Sequence, residues 1–320
     1  STYVTRFIYY SETRSAVCCL SSLNLEYFED WKDTSIVQDL IEFLDDVLEY
    51  FIQNAPNQLH KAIYSAKRER SLGLGAMGFH SLLQSKGIPF ESALAVSYNR
   101  KIFSHINSEA VKATVTLAKQ KGPYLDDDSL SRRNSHLLAI APNANSSIIL
   151  DTSPSIEPWK SNAFTHRTRA GSFLQVNKYL IKLLNQKKED VDSSEADSWL
   201  EDQIQSIILA QGSVQHLDYL TKYEKATFKT AFEIDQNWVV DHAATRQQFI
   251  CQGQSVNLFF PAGSNKNYVN AVHLKAWHSK LKGLYYLRTS AGAIGEKVST
   301  KIERHQLEEY KIEECVSCQG

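Results

Sequence analysis

Thiols are the first residues in this chain whose types and spacing could do chemistry. Cys315 and Cys318 stand as C-V-S-C at the end of the last twenty residues, KIERHQLEEYKIEECVSCQG. That spacing suits a reversible dithiol or half of a tetrahedral metal site. The only other local candidate ligand is His305, one short of a full zinc set. On a polar, unpatterned tail a dithiol can carry reducing equivalents between a buried acceptor and an external reductant, by thiolate attack on a disulfide. Incidental tail cysteines are the remaining alternative. Cys18 and Cys19, in AVCCLSSLNL, sit in an apolar stretch where free cysteine often packs as a small hydrophobe. If that strand lines a site, alternation aims at most one of the two into it. Cys251, in FICQGQSVNLFF, reads as structural.

Two further groups stand out. In APNANSS, a hydrophobic strand ends and Pro142 turns the chain. Asn143, Ala144, Asn145, Ser146 and Ser147 then offer backbone N–H groups and polar side chains before a helix or turn. Those are the ingredients of an anion site, and equally of an ordinary capped loop. Near the end, GLYYLRTS sets Tyr285 beside Tyr286. In a strand, successive side chains point to opposite faces, so the pair by itself reads as core packing with one satisfied hydroxyl.

The elements that must hold these residues follow from periodicity. Residues 16–25 read as a buried strand. From Ile36 to Phe51, apolar residues recur at spacings of three and four, after a cap at Asp33 or Thr34 and before Pro56, which predicts a helix. A long helix is expected over 90–121, stopped at Gly122-Pro123. Strands are expected at SHLLAIAP, SVNLFF and GLYYLRT, helices through 198–250, and a surface loop at NQKKEDVDSSEADS. Gly73, Gly75 and Gly78 imitate a dinucleotide fingerprint, but no βαβ unit with a following acidic residue can be drawn, so close backbone packing explains them better. Strands separated by helices argue an α/β architecture with a parallel or mixed sheet.

Composition excludes whole classes. The 320 residues are 42% hydrophobic and 22% charged, as in ordinary globular proteins. No apolar run approaches the roughly 18 to 20 residues of a membrane span. With 35 Lys+Arg against 36 Asp+Glu there is no excess of positive charge to bind nucleic acid broadly. Five cysteines without a signal peptide argue against a disulfide framework and for a cytoplasmic location. The chain enters strand-like alternation without an initiating methionine, as expected of a piece of something longer.

Taken in order, the strand cysteine of AVCCLSSLNL, the loop of APNANSSIILDTSPSIEP, the tyrosines of GLYYLRTS and the terminal dithiol of EECVSCQG resemble the C-terminal half of the large (α) subunit of class I ribonucleotide reductase. RSLGLGAMGFHSLLQ, NAFTHRT and ICQGQSVNLFF extend the resemblance over essentially the whole chain. It implies half of a ten-stranded α/β barrel over residues 1–300 and a flexible redox tail over 301–320. It implies that Cys18 is one of the cysteine pair that supplies electrons to the ribose, Cys19 falling where a small or polar residue is usual. Tyr285 and Tyr286 would relay a radical inward from a metal-containing β subunit; a phenol surrenders an electron together with its proton, so neighbouring tyrosines pass an oxidising equivalent in short hops. Cys315 and Cys318 would re-reduce the active-site disulfide and be reduced in turn by thioredoxin or glutaredoxin. Pro142 to Ser147 would hold the diphosphate of a ribonucleoside diphosphate. The chain itself is expected to bind no metal or cofactor. The family's thiyl-radical cysteine, the other member of the redox pair and the regulatory nucleotide-binding cone belong to the N-terminal half, an implied partner without which this chain is expected to be inactive. The rival expectation is a non-catalytic redox carrier or interaction module that shares the fold, separated from the first by whether the tyrosines face the same interior as Cys18 and the Pro142 loop.

Overall fold

The structure, a computed structural model, describes residues 13–126, 130–168, 171–189 and 196–290. Cys315, Cys318 and the expected boundary at residue 300 lie outside the described residues. Strand β1 (Cys19–Asn24) leads through one 3-10 turn into α1 (Phe28–Trp31) and α2 (Ile36–Asn54). Helix α2 buries Val37, Ile41, Leu44, Leu48 and Ile52, the stripe that spacings of three and four produce. It stops at Ala55 because the residue before a proline is driven out of the helical region. Its cap is Ser35, not Asp33 or Thr34, and Ser35 makes no capping bond because its hydroxyl donates to Asp39 Oδ2 at 2.7 Å.

Helix α3 (His60–Glu69) turns through Arg70 into β2 (Leu72–Met77), a strand in which every residue is buried. Gly78 (φ 81°) opens α4 (Phe79–Ser85), and α5 (Ala93–Lys121) follows, capped by Ser92 and closed at Gly122. Next come α6 (Ala144–Ile149), the antiparallel hairpin β3 (Ala163–Thr168) and β4 (Gly171–Val176), and helices α7 (Lys178–Lys188), α8 (Ala196–Leu209), α9 (Lys222–Thr227) and α10 (Gln236–Gln247). Strand β5 (Leu258–Phe260), helix α11 (Lys266–His278) and strand β6 (Leu287–Thr289) complete the described chain. The hairpin is not anticipated above, because THRTR shows no apolar alternation.

Five extended segments lie side by side in sequence order, all parallel. Strand β1 pairs with β2 from Cys19–Leu72 to Asn24–Met77. Beyond β2, Leu74 bridges Leu138; beyond that, Ile140 bridges Gln254. The Tyr285 N–H then donates to the Val256 carbonyl at 2.8 Å, and β5 runs parallel to β6. Helices α2, α5 and α10 pack this sheet into the main core. The third segment, 137–140, is held partly by side chains: Cys251 Sγ accepts the N–H groups of Leu137 and Leu138 at 3.2 and 3.3 Å, and Gln252 Nε2 donates to the Leu138 carbonyl at 3.4 Å and to the Leu72 carbonyl of β2 at 2.6 Å. Cys251 is therefore structural. Gly73 and Gly75 admit close neighbours, since a Cβ at Gly75 would stand 2.5 Å from the Ala139 carbonyl oxygen. This five-stranded parallel arrangement is the expected half-barrel.

A smaller core, built on Leu180, Leu184, Ile207, Val214 and Phe228, lies beneath the hairpin. Buried amides tie it to the barrel: Asn177 Nδ2 donates to Gln84 Oε1 at 2.8 Å, and Gln84 Nε2 donates to the Thr227 carbonyl at 3.3 Å.

Candidate active site

The first and last of the five segments wall one cleft of about 1490 Å³, so the sheet is strongly curved. Cys18, Pro142 to Ser147, Tyr285 and Tyr286 all line it. Alternation separates the cysteines as expected. Cys18 faces the cleft, while Cys19 packs on the main core. Cys18 lies against Gly73, where a Cβ would come within 2.9 Å of its Sγ. Burial pushes its thiol up to about 12, against the opposing hydrogen bonds of Ser71 and Gln252. It is therefore a neutral thiol at physiological pH, whereas thiol exchange proceeds through thiolates.

The tyrosines depart from the strand expectation. Both line the cleft, with ring centroids 4.1 Å apart and planes at 52°. Regular strand begins only at Leu287. The Tyr286 N–H is taken by Asn257 Oδ1 at 3.0 Å, so a side chain replaces a backbone carbonyl there. Alternation is broken where that ladder bond is intercepted, and the two rings share a face. The Arg288 guanidinium lies 4.8 Å from the centroid of the Tyr286 ring, within cation–π range.

In the loop, Asn143 and Ser147 are buried and Ala144 to Ser146 are exposed. Asn143 precedes α6 without capping it, and its Nδ2 is buried without a hydrogen-bond partner. A buried unsatisfied donor is costly unless a ligand or water completes it. Ser147 Oγ donates to the Ala144 carbonyl at 2.9 Å, which braces the loop. Lys160 and Arg288 line the same cleft and supply positive charge.

Glu157 was missed. It is 6% exposed, lines the cleft and accepts from Asn257 Nδ2 at 2.5 Å. Burial pushes its carboxyl up to about 7, with Lys160, Asn257 and Arg288 pulling the other way. The available signal was a lone acid in the apolar, proline-bounded PSIEPW. Among the described residues no three His, Cys, Asp or Glu side chains gather as metal ligands, and no helix is long and apolar enough to cross a membrane.

Residues 6–127 and 129–287 match the family model described as ribonucleotide reductase, barrel domain. The chain belongs to the ribonucleotide reductase barrel family. It is 48% identical over 310 residues to a putative ribonucleoside-diphosphate reductase large subunit of Frog virus 3, covering 96% of this chain and 53% of the relative. It is 46% identical over 280 residues to the ribonucleoside-diphosphate reductase large subunit of Invertebrate iridescent virus 3, covering 87% of this chain and 44% of that one. A solved class Id ribonucleotide reductase alpha subunit of Actinobacillus ureae superposes with a TM-score of 0.78 at 40% identity, over 88% of this chain and 51% of that chain. The chain thus spans about half the length of these reductase large subunits, as five parallel segments of the barrel.

Proposed function

We propose that this chain is the C-terminal half of the catalytic barrel of a ribonucleoside-diphosphate reductase large subunit, and that it reduces ribonucleotides only together with the rest of that subunit and a radical-generating β subunit. In this reading Tyr285 and Tyr286 relay the oxidising equivalent, and the loop from Pro142 to Ser147 receives the substrate diphosphate. The observation that supports it most is the convergence on one cleft of two tyrosine rings 4.1 Å apart and a loop with an unsatisfied buried amide donor. Each relay step is the loss of one electron and one proton from a phenol to the oxidised partner outside it, followed by recovery of both from the residue within.

For the reducing electrons the resemblance points to Cys18, Cys315 and Cys318. The burial that keeps Cys18 a neutral thiol counts against its acting as a thiolate, and the reading does not depend on it. The test is Tyr286→Phe in the complete enzyme. Phenylalanine keeps the ring and removes only the oxidisable hydroxyl, so turnover should fall by more than about 100-fold with substrate affinity within about twofold. Turnover retained at wild-type level would make the pair core residues.

A further inference from the structure

We propose that Glu157 and Asn257 form a protonatable clamp that positions the Tyr286 ring beside Tyr285. This rests on the reading of the tyrosines as a relay, and it assigns Glu157 a positioning role, without contact to substrate. Both ends of the Asn257 amide are used: Nδ2 donates to Glu157 Oε1 at 2.5 Å and Oδ1 accepts the Tyr286 N–H at 3.0 Å. Flipping the amide would set N–H against N–H, so its orientation is determined. Glu157 and Asn257 are 6% and 4% exposed, so losing either bond would leave a largely buried polar group unsatisfied.

Arg288 adds a charge next to the ring. Its guanidinium stands over the Tyr286 ring, and its charge, like that of Lys160 on the carboxyl's own loop, favours the ionised form of Glu157. When Glu157 is ionised, it grips Asn257 through a charge-assisted hydrogen bond and offsets both cations. When it is neutral, that bond weakens and Arg288 loses a counter-charge next to the ring. Burial places the change of state at about pH 7, so both states are populated under ordinary conditions. A displacement of about 1 Å at a reacting group can cost on the order of 100-fold in rate, so the clamp bears directly on a relay.

The test uses the full chain with para-fluorophenylalanine at position 286, a probe that does not titrate, followed by fluorine NMR from about pH 5.5 to 8.5. The expected result is a single titration with its midpoint at about 7, present with Glu157, retained in some form in Glu157→Asp and absent in Glu157→Gln. A signal that does not move with pH, or one that titrates identically in Glu157→Gln, overturns the clamp. In the complete enzyme Glu157→Gln should lower kcat at least about tenfold with KM within about twofold; a change confined to KM overturns the positioning role. The two readings fail separately. If Tyr286→Phe leaves turnover intact, the relay falls while the fluorine titration still decides the clamp; if Tyr286→Phe abolishes turnover and the titration is absent, the clamp falls and the relay stands.

Discussion

Asn257 decides the most consequential local feature of the cleft, since its side-chain carbonyl takes the Tyr286 N–H and lets two adjacent tyrosines share one face. The carboxyl that anchors it should leave a mark on stability. Glu157 is raised from its ordinary 4.5 to about 7, so the folded state holds a proton that the unfolded chain has already released. A raised carboxyl contributes stability that is complete below its unfolded value and lost as pH rises through the folded one. At about 1.4 kcal/mol per pH unit, the loss between pH 4.5 and 7 is on the order of 3 kcal/mol. Glu157→Gln should remove it, and urea unfolding at pH 5 and 7.5 should show the variant gaining on the parent at the higher pH. His80 and His242, pushed down to about 3 by burial, work in the opposite direction. Only the difference between the two proteins isolates the carboxyl; a constant difference across this range would mean that the carboxyl does not titrate there.

At the scale of elements, the parallel sheet depends on close approach. Strand β2 is buried along its whole length, and a Cβ at Gly75 would meet a backbone carbonyl, which cannot swing aside as a side chain tip can. Gly75→Ala should destabilise the fold by about 1 to 3 kcal/mol, as overpacking does, read as a lower urea midpoint with an unchanged slope. An unchanged midpoint would show that the 137–140 segment gives way freely. Helices α2 and α5 were legible because an amphipathic stripe and a terminal proline or glycine are local features. The hairpin of β3 and β4 was not legible: its pairing is antiparallel at the surface of a second small core, and nothing in THRTR announces it.

At the scale of the whole molecule, the half-barrel ends in two edge strands. Among the described residues β1 has only β2 as a strand neighbour and β6 has only β5. Unpaired edges present free N–H and C=O groups to another strand. On the proposed reading the remainder of the large subunit covers both. Hydrogen exchange at β1 and β6 should therefore slow at least about tenfold when the rest of the subunit is added, and the mixture alone should turn over once a β subunit is present. Unchanged exchange at both edges would refute completion of a barrel by this route.

By itself the sequence determined the α/β class, the long helices, the packing role of the β2 glycines and the candidates Cys18, Pro142 to Ser147, Tyr285 and Tyr286, because periodicity, punctuation and residue chemistry are local. Tertiary structure alone decided that β1 and β6 wall the same cleft, that the two phenol rings meet 4.1 Å apart and tilted at 52° across broken alternation, and that a glutamate 100 residues from Asn257 is joined to it. Each of these depends on sheet curvature or on a long-range bond between a side chain and a partner far along the chain, and neither leaves a pattern in neighbouring residues.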